Sequence, residues 1–269
     1  MSQQQISVST FTSDLLDHVI MQRQPLPKGF AGMLEAEIDC YNYYLAQPLE
    51  NRQFARSQLG QDLWVAFLLD CWNLDSPLRR KGYFVEFGAF DGVHLSNSYL
   101  FEKQFGWQGI VAEPAPDQFA KCVQRRFCHI DPRCVWGRSG DVVSFNQVPG
   151  NEELATADIC SNADLHGQAR AAQKSLIQVQ TVSLNDLLRE WDAPRVIDYI
   201  SIDTEGSEHE ILKAFDFGAH AFRTLTVEHN FSAKREPIHQ LLSVAGYVRV
   251  GRSVERFDDL YVKPELLGR

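Results

Sequence analysis

The sequence predicts an α/β fold: a mostly parallel open sheet with helices on both faces and an antiparallel strand near its C-terminus. Three observations predict it. Apolar runs of strand length recur at Tyr83–Phe87, Gly109–Ala112 and Val196–Ile202, separated by stretches with helical spacing. The last of these runs is apolar almost throughout, as a strand buried on both faces must be. Towards the end, Tyr247–Val250 and Leu260–Lys263 read as a closing antiparallel pair.

A chain of 269 residues with 44% hydrophobic content can bury one large core, with room for a small addition. A net charge of −9 makes duplex nucleic acid an unfavourable partner. No apolar run reaches the length of a membrane span. The opening MSQQQISVSTFTSD lacks the basic and apolar regions of a signal peptide, so a cytoplasmic protein is expected. Six cysteines stand at 40, 71, 122, 128, 134 and 160 without a C-x-x-C pair. Cys122, Cys128, His129 and Cys134 lie close together, but their spacing fits no standard zinc site, and reduced thiols are the expectation.

Residues 1–56 are expected to form a helical extension, with helices over Phe11–Met21 and Ala31–Leu45. It would pack on the sheet domain or on a second subunit, which allows a homodimer. The main domain is placed at 57–269. Its first helix is expected over Ser57–Trp72 with Ser57 as N-cap, and the next over Ser96–Phe105, capped by Ser96 or Asn97. Pro116–Phe127 follows, and Arg125-Arg126 at its end either suit the helix dipole or bind an acidic acceptor. Arg133–Gly137 is read as the third strand, and Asp141–Val148 as an extended arm. Pro149–Lys174 carries no period and is long enough to suggest a functional cover, with Ser161, Asn162, Asp164 and His166 able to face an acceptor. Leu176–Val182 is a strand, and Ser183 caps a helix over Leu184–Trp191. Helices over Ser207–Phe217 and Ala233–Ala245 flank a fifth strand at Arg223–Val227.

The chemistry concentrates where strands end. Tyr83–Phe87 runs into Glu86-Phe87-Gly88-Ala89-Phe90-Asp91-Gly92, and the strand Gly109–Ala112 closes on Glu113-Pro114. Strand, glycine turn, helix, strand and acid is the order of a βαβ unit that cradles a nucleoside. Gly88 and Gly92 allow a sharp bend close to a ligand. Glu113 stands where acids that grip ribose hydroxyls belong. The turn is not G-x-G-x-x-G, and Asp91 inside it repels phosphate but suits an ammonium group. That favours S-adenosylmethionine over a dinucleotide. An NAD-dependent or nucleotide-sugar oxidoreductase needs a third glycine, a small residue in place of Glu86, and a Tyr-x-x-x-Lys pair. Here that pair occurs only at Tyr99–Lys103, inside the first helix of the unit. A non-catalytic nucleoside-binding module is the other alternative; it would keep Glu113 and the glycine turn without needing Asp203 or His229.

Phe84–Gly92 (FVEFGAFDG), Gly109–Pro114 (GIVAEP), Thr181–Leu188 (TVSLNDLL) and Ile197–Glu208 (IDYISIDTEGSE) resemble, in order and spacing, the FkbM-type family of S-adenosylmethionine-dependent methyltransferases. Ser57–Asp62 (SQLGQD) looks like an upstream motif of one branch. The resemblance implies a class I methyltransferase-like Rossmann fold and methyl transfer to a hydroxyl of a glycan, sugar or secondary metabolite. It implies a cofactor site drawn from Glu86, Gly88, Ala89, Asp91, Gly92, Ser96, Asn97, Glu113, Pro114 and Asp203. Ser139 joins them in a turn expected under the adenine. It also draws Gln58 and Asp62 towards the methionine end or the acceptor.

A hydroxyl acceptor needs a base. Two strand ends offer candidates, Asp203 with Glu205 and Glu228 with His229. His229 is the first choice because its free pKa lies nearest working pH, with Asp203 or Glu228 orienting it. A rival arrangement uses Asp203, Glu228 and Asn230 as oxygen ligands of magnesium; the metal-free version is preferred because a histidine interrupts the set.

Overall fold

A computed structural model describes residues 53–71, 75–79, 81–250 and 257–267. The two helices expected near the N-terminus lie outside them. The main sheet has seven strands: β1 (Tyr83–Phe87), β2 (Gln108–Ala112), β3 (His129–Asp131), β8 (Val196–Ile202), β9 (Ala221–Glu228), β10 (Val248–Val250) and β11 (Asp258–Val262). Their order is β10-β11-β9-β8-β1-β2-β3. Every neighbouring pair is parallel except those made by β11, which runs antiparallel to both β9 and β10. This is the open, mostly parallel sheet with one reversed strand that the sequence predicts.

Alternation along the strands loads both faces. Val85, Phe87, Ile200, Ile202, Leu225 and Val227 point to one side. There they meet α5 (Leu184–Glu190), α6 (Glu208–Lys213) and α7 (Arg235–Val244) through Leu184, Leu188, Leu212 and Leu242. Phe84, Val111 and Tyr199 point to the other side, against α1 (Gln61–Leu68) and α2 (Tyr99–Phe105) through Val65, Leu69, Leu100 and Phe101. Each of these side chains is almost fully withdrawn from water, worth about 1.5–3 kcal/mol apiece on transfer. The hydroxyl of Tyr199 keeps a partner in this apolar layer, Thr226 Oγ1 at 2.7 Å.

A second sheet of four strands, β4-β7-β5-β6, stands beside the first: β4 (Cys134–Trp136), β5 (Val142–Asn146), β6 (Thr156–Ala157) and β7 (Leu176–Ser183). It corrects one expectation. The stretch read as the third core strand leaves the main sheet, because Cys134–Trp136 pairs with β7. His129–Asp131 fills the third place instead. The Asp131 carboxylate accepts from the backbone N–H of Arg133 at 2.9 Å, and the chain turns between the two strands there.

The helices are shorter than their apolar patterns suggest. Gly60 at φ 83 starts α1, so Ser57 is not its cap; Ser57 forms a lone bridge to Leu95 and hydrogen-bonds Asp62. The helix after the glycine turn begins at Tyr99, because Ser96, Asn97 and Ser98 bind Glu86. α3 (Pro116–Arg125) ends two residues early. The Ser183 cap appears as predicted, its side chain accepting from Asp186 N. The segment without a period holds β6, α4 (Gly167–Ala172) and two short 3-10 turns.

Candidate active site

Strand order reverses between β1 and β8, and a cavity of about 460 Å³ opens at the carboxyl ends of the strands there. Gly88 comes to it from β1, Glu113 and Pro114 from β2, Asp203 from β8, and Glu228 and Asn230 from β9. Gly88 is required on two counts. Its φ is 70°, and a Cβ there would stand 1.7 Å from the carbonyl oxygen of Asp203. Any side chain would force β1 and β8 apart at the point where they build the cavity floor.

One end of the cavity suits a nucleoside carrying an amino acid. Glu113 is 5% exposed, and its Oε1 accepts from Ala115 N at 2.9 Å. Burial pushes its pKa up to about 8, against the opposing pull of backbone hydrogen bonds. A buried carboxyl with acceptor capacity left over is well suited to a pair of hydroxyl donors. Asn97 donates to Ser201 Oγ at 2.9 Å, while its Oδ1 is buried and has no donor. That oxygen suits an ammonium group. Gln58 and Gln61 come from the segment before and inside α1. Gln61 is oriented by Leu59 N on one side and by Asp258, at 2.6 Å, on the other.

Other residues expected here are committed to the scaffold. Glu86 accepts from Ser96 Oγ, Asn97 N and Ser98 Oγ at 2.6–2.8 Å and pairs with Arg126 at 3.4 Å. Its acceptor sites are filled, and it does not reach the cavity. Ser96 caps the entry to α2 through Tyr99 N. Asp91 closes its own turn through Val93 N and His94 N and pairs with Arg125. Gly92, at φ 78°, lies against Cys122 and Arg126, so its freedom serves packing on α3. Ala89 is buried among α1 and α2 residues. Ser139 hydrogen-bonds Ser183 and Asp186 at the start of α5, outside the cavity. Asp62 holds Ser57 and the backbone of Arg56. Arg126 is 4% exposed and clamps Glu86, Glu102, Ser98 and the Gly92 carbonyl, so it does not face an acceptor.

The floor is carboxylate. Ile202 lies opposite Val227 in the β8–β9 register, so the next residues, Asp203 and Glu228, leave the sheet side by side. Both line the cavity, and oxygens of Asp203, Glu205 and Glu228 all lie within 4.8 Å of one another. Burial raises all three carboxyls, Asp203 to about 8; repulsion from Asp258 adds to the rise in Asp203, and repulsion from Asp203 to the rise in Glu205 and Glu228. Glu205 and Asn230, just past the strand ends, hold left-handed backbone, φ 58° and 42°, an uncommon state outside glycine. Asn230 Nδ2 donates to Glu205 Oε2 at 3.0 Å and to Asp164 Oδ2 at 3.3 Å. Glu208 closes the Thr204–Gly206 turn at the start of α6.

His229 is turned the other way. Neighbouring strand residues face opposite sides, so a cavity-facing Glu228 sends His229 behind the sheet end. Its Nδ1 accepts from Phe231 N at 3.0 Å, and its Nε2 lies 3.6 Å from Asp259. Burial, opposed by Asp259, lowers its pKa to about 4. It does not line the cavity and is not placed to act as the base. Of the four covering residues expected at the acceptor, only His166 reaches the cavity wall; Asp164 binds Arg170, and Ser161 bonds Asp158.

The family model described as the methyltransferase FkbM domain matches residues 86–249. The chain belongs to the FkbM methyltransferase family. No curated protein matches it. Among solved structures it is similar to the N-terminal domain of human METTL16, at 13% identity and a TM-score of 0.39, over 74% of this chain and 66% of that one. It is also similar to the fibrillarin pre-rRNA processing protein of Methanococcus jannaschii, at 11% identity and TM-score 0.36, over 69% and 67% of the two chains. A third is the TehB-like SAM-dependent methyltransferase of Corynebacterium glutamicum, at 10% identity and TM-score 0.36, over 84% and 99%. This chain spans just under two thirds of the METTL16 domain.

As an FkbM methyltransferase the chain uses S-adenosylmethionine as its methyl donor. Glu113→Ala is expected to weaken S-adenosylhomocysteine by about 1–3 kcal/mol, the cost of leaving buried ribose hydroxyls without a partner, read by calorimetry. The site of this FkbM methyltransferase also holds residues that sequence reasoning passed over. Phe231 and Leu165 form an exposed apolar rim, 63% and 80% accessible. Arg170 stands fully buried behind Glu205. Nothing in the aperiodic stretch around Arg170 marked it.

Proposed function

We propose that this FkbM methyltransferase transfers the methyl group of S-adenosylmethionine to a hydroxyl of a glycan, sugar or secondary metabolite, with the Asp203–Glu228 carboxyl pair taking the hydroxyl proton. The observation that carries the reading is the pair of neighbouring carboxyls itself, projecting from adjacent strand ends into the cavity beside Gly88. Methyl transfer to oxygen is an in-line displacement. Holding donor and acceptor collinear supplies most of the gain, and a positioned base removes the proton as the bond forms. The glycine bend, Asn97 and Glu113 fix the donor end. Phe231 and Leu165 at the mouth suit an acceptor with an apolar portion. The acidic floor disfavours an anionic acceptor.

The test is calorimetry with S-adenosylhomocysteine against NAD, followed by transfer of labelled methyl to a panel of hydroxyl-bearing glycosides and natural products. Binding of NAD alone overturns the reading.

A metal-assisted version is favoured by one observation, the closeness of Asp203, Glu205 and Glu228. They are hard oxygen donors suited to magnesium, with Glu205 in the place first given to Asn230. Bound there, magnesium would lower the pKa of the acceptor hydroxyl. Arg170 and Asn230 already engage Glu205, and the metal-free version is preferred for that reason. Under it, chelation leaves turnover unchanged; loss of turnover in EDTA, restored by magnesium, selects the metal.

A further inference from the structure

The insert between β5 and β7 forms one wall of the cavity, contributing Glu152, Leu154, Ala157, Leu165 and His166. Two side chains fasten it to the strand ends. Thr156 Oγ1 reaches the carbonyls of Thr204 and Glu205 at 3.1 and 3.0 Å. Arg170, on α4, has no solvent-exposed side-chain surface and spreads its guanidinium over four partners. Its Nε donates to Leu154 O at 2.9 Å, and its Nη1 to Ser161 O at 3.4 Å. Two further bonds, from Nη1 and Nη2, grip Asp164 end-on at 2.7 and 3.0 Å, and Nη2 also pairs with Glu205.

A buried ion pair of this kind is weak evidence for a stability role, because well-packed apolar residues of similar volume commonly do as well. What the guanidinium adds is geometry. Its planar fork fixes two carboxylates from different segments in one plane, which an ammonium or an apolar chain cannot do. One carboxylate, Asp164, belongs to the insert. The other, Glu205, belongs to the reacting floor.

We propose that Arg170 is a positioning residue of this methyltransferase: by gripping Asp164 and Glu205 together it sets the insert as a cavity wall and holds Glu205 beside Asp203 and Glu228. It touches no reacting atom and acts through Glu205. The proposal rests on the reading of the cavity as the donor and acceptor site.

The experiment combines hydrogen exchange of residues 152–172 with S-adenosylhomocysteine calorimetry on the full chain. It compares wild type, Arg170→Gln, Arg170→Lys and Thr156→Val. Arg170→Gln is expected to speed exchange of the insert about 10- to 100-fold, the worth of one or two charged hydrogen bonds, while β8 and β9 exchange as before. Its affinity for S-adenosylhomocysteine falls roughly tenfold, as the wall is closed for a smaller fraction of the time. Arg170→Lys recovers part of both losses. Thr156→Val, which removes the other tether without stranding a charge, moves both readouts the same way by about threefold. Unchanged exchange of the insert in Arg170→Gln overturns the proposal. So does exchange that quickens equally in β8 and β9 in both variants, since Arg170 is then a determinant of the whole fold. Failure of the wild type to bind S-adenosylhomocysteine counts instead against the functional reading, and the ligand-free exchange still decides the role of Arg170.

Discussion

Glu228→Gln is expected to cut methyl transfer by about 100- to 10,000-fold, the range for losing a positioned base, with little change in S-adenosylhomocysteine affinity. Asp203→Asn should give a loss of the same order, and the double variant little more than either, since the two neighbouring carboxyls act as one unit. His229→Ala, in contrast, should keep most of the turnover, because that ring lies behind the sheet against Asp259. The pH profile carries a sign. A carboxyl must be ionised to accept a proton, and burial has raised Asp203 to about 8. Turnover should therefore climb with rising pH, along a limb at or below that value, because a nearby sulfonium favours the ionised form. A profile that falls over the same range, or full activity in Glu228→Gln, would sink the assignment.

Arg126→Leu is expected to destabilise the fold by about 3–5 kcal/mol, read as a shifted denaturant midpoint. The loss would come less from the missing pair than from what remains: Glu86 and Glu102, each under a tenth exposed, with only Lys103 left beside Glu102. Adding Glu86→Gln and Glu102→Gln to Arg126→Leu should therefore recover part of the stability, which ordinary additivity would not allow. The same change frees the Gly92 carbonyl and the Ser96–Ser98 segment, so donor affinity falls with stability.

Much of the architecture was legible because long apolar runs bounded by glycine or acid leave few choices. Val196–Ile202 was read to its last residue, and the reversed strand near the end followed from a short alternating pair. The third strand was missed because His129–Asp131 is three residues long and polar at both ends, whereas Cys134–Trp136 looks more like a core strand. In the site, residues at strand ends were found and their facing was not. Glu228 and His229 are adjacent, only one can face the cavity, and the period of two was available to show that they exclude each other. Glu86 and Asp91 were read as ligand contacts because a buried acid near a turn looks the same whether a ligand or the protein's own N–H groups satisfy it. Only the hydrogen-bond inventory separates those cases. Arg170 was invisible because its partners are 6 and 35 residues away in a stretch without a pattern.

The placement of β11 between β9 and β10 has a bearing on where the inherited unit ends. The stretch shared with the family, 86–249, stops short of β11, cuts β1 after its third residue and omits α1. A polypeptide trimmed to those limits would lose the neighbour of β9 and the Gln58–Gln61 flank, leaving a slot one strand wide beside Glu228. The stretch matched by the family and the stretch that completes this sheet are thus different lengths of chain. The sheet is completed only by the longer of the two, because β11, beyond the matched stretch, fills an interior position.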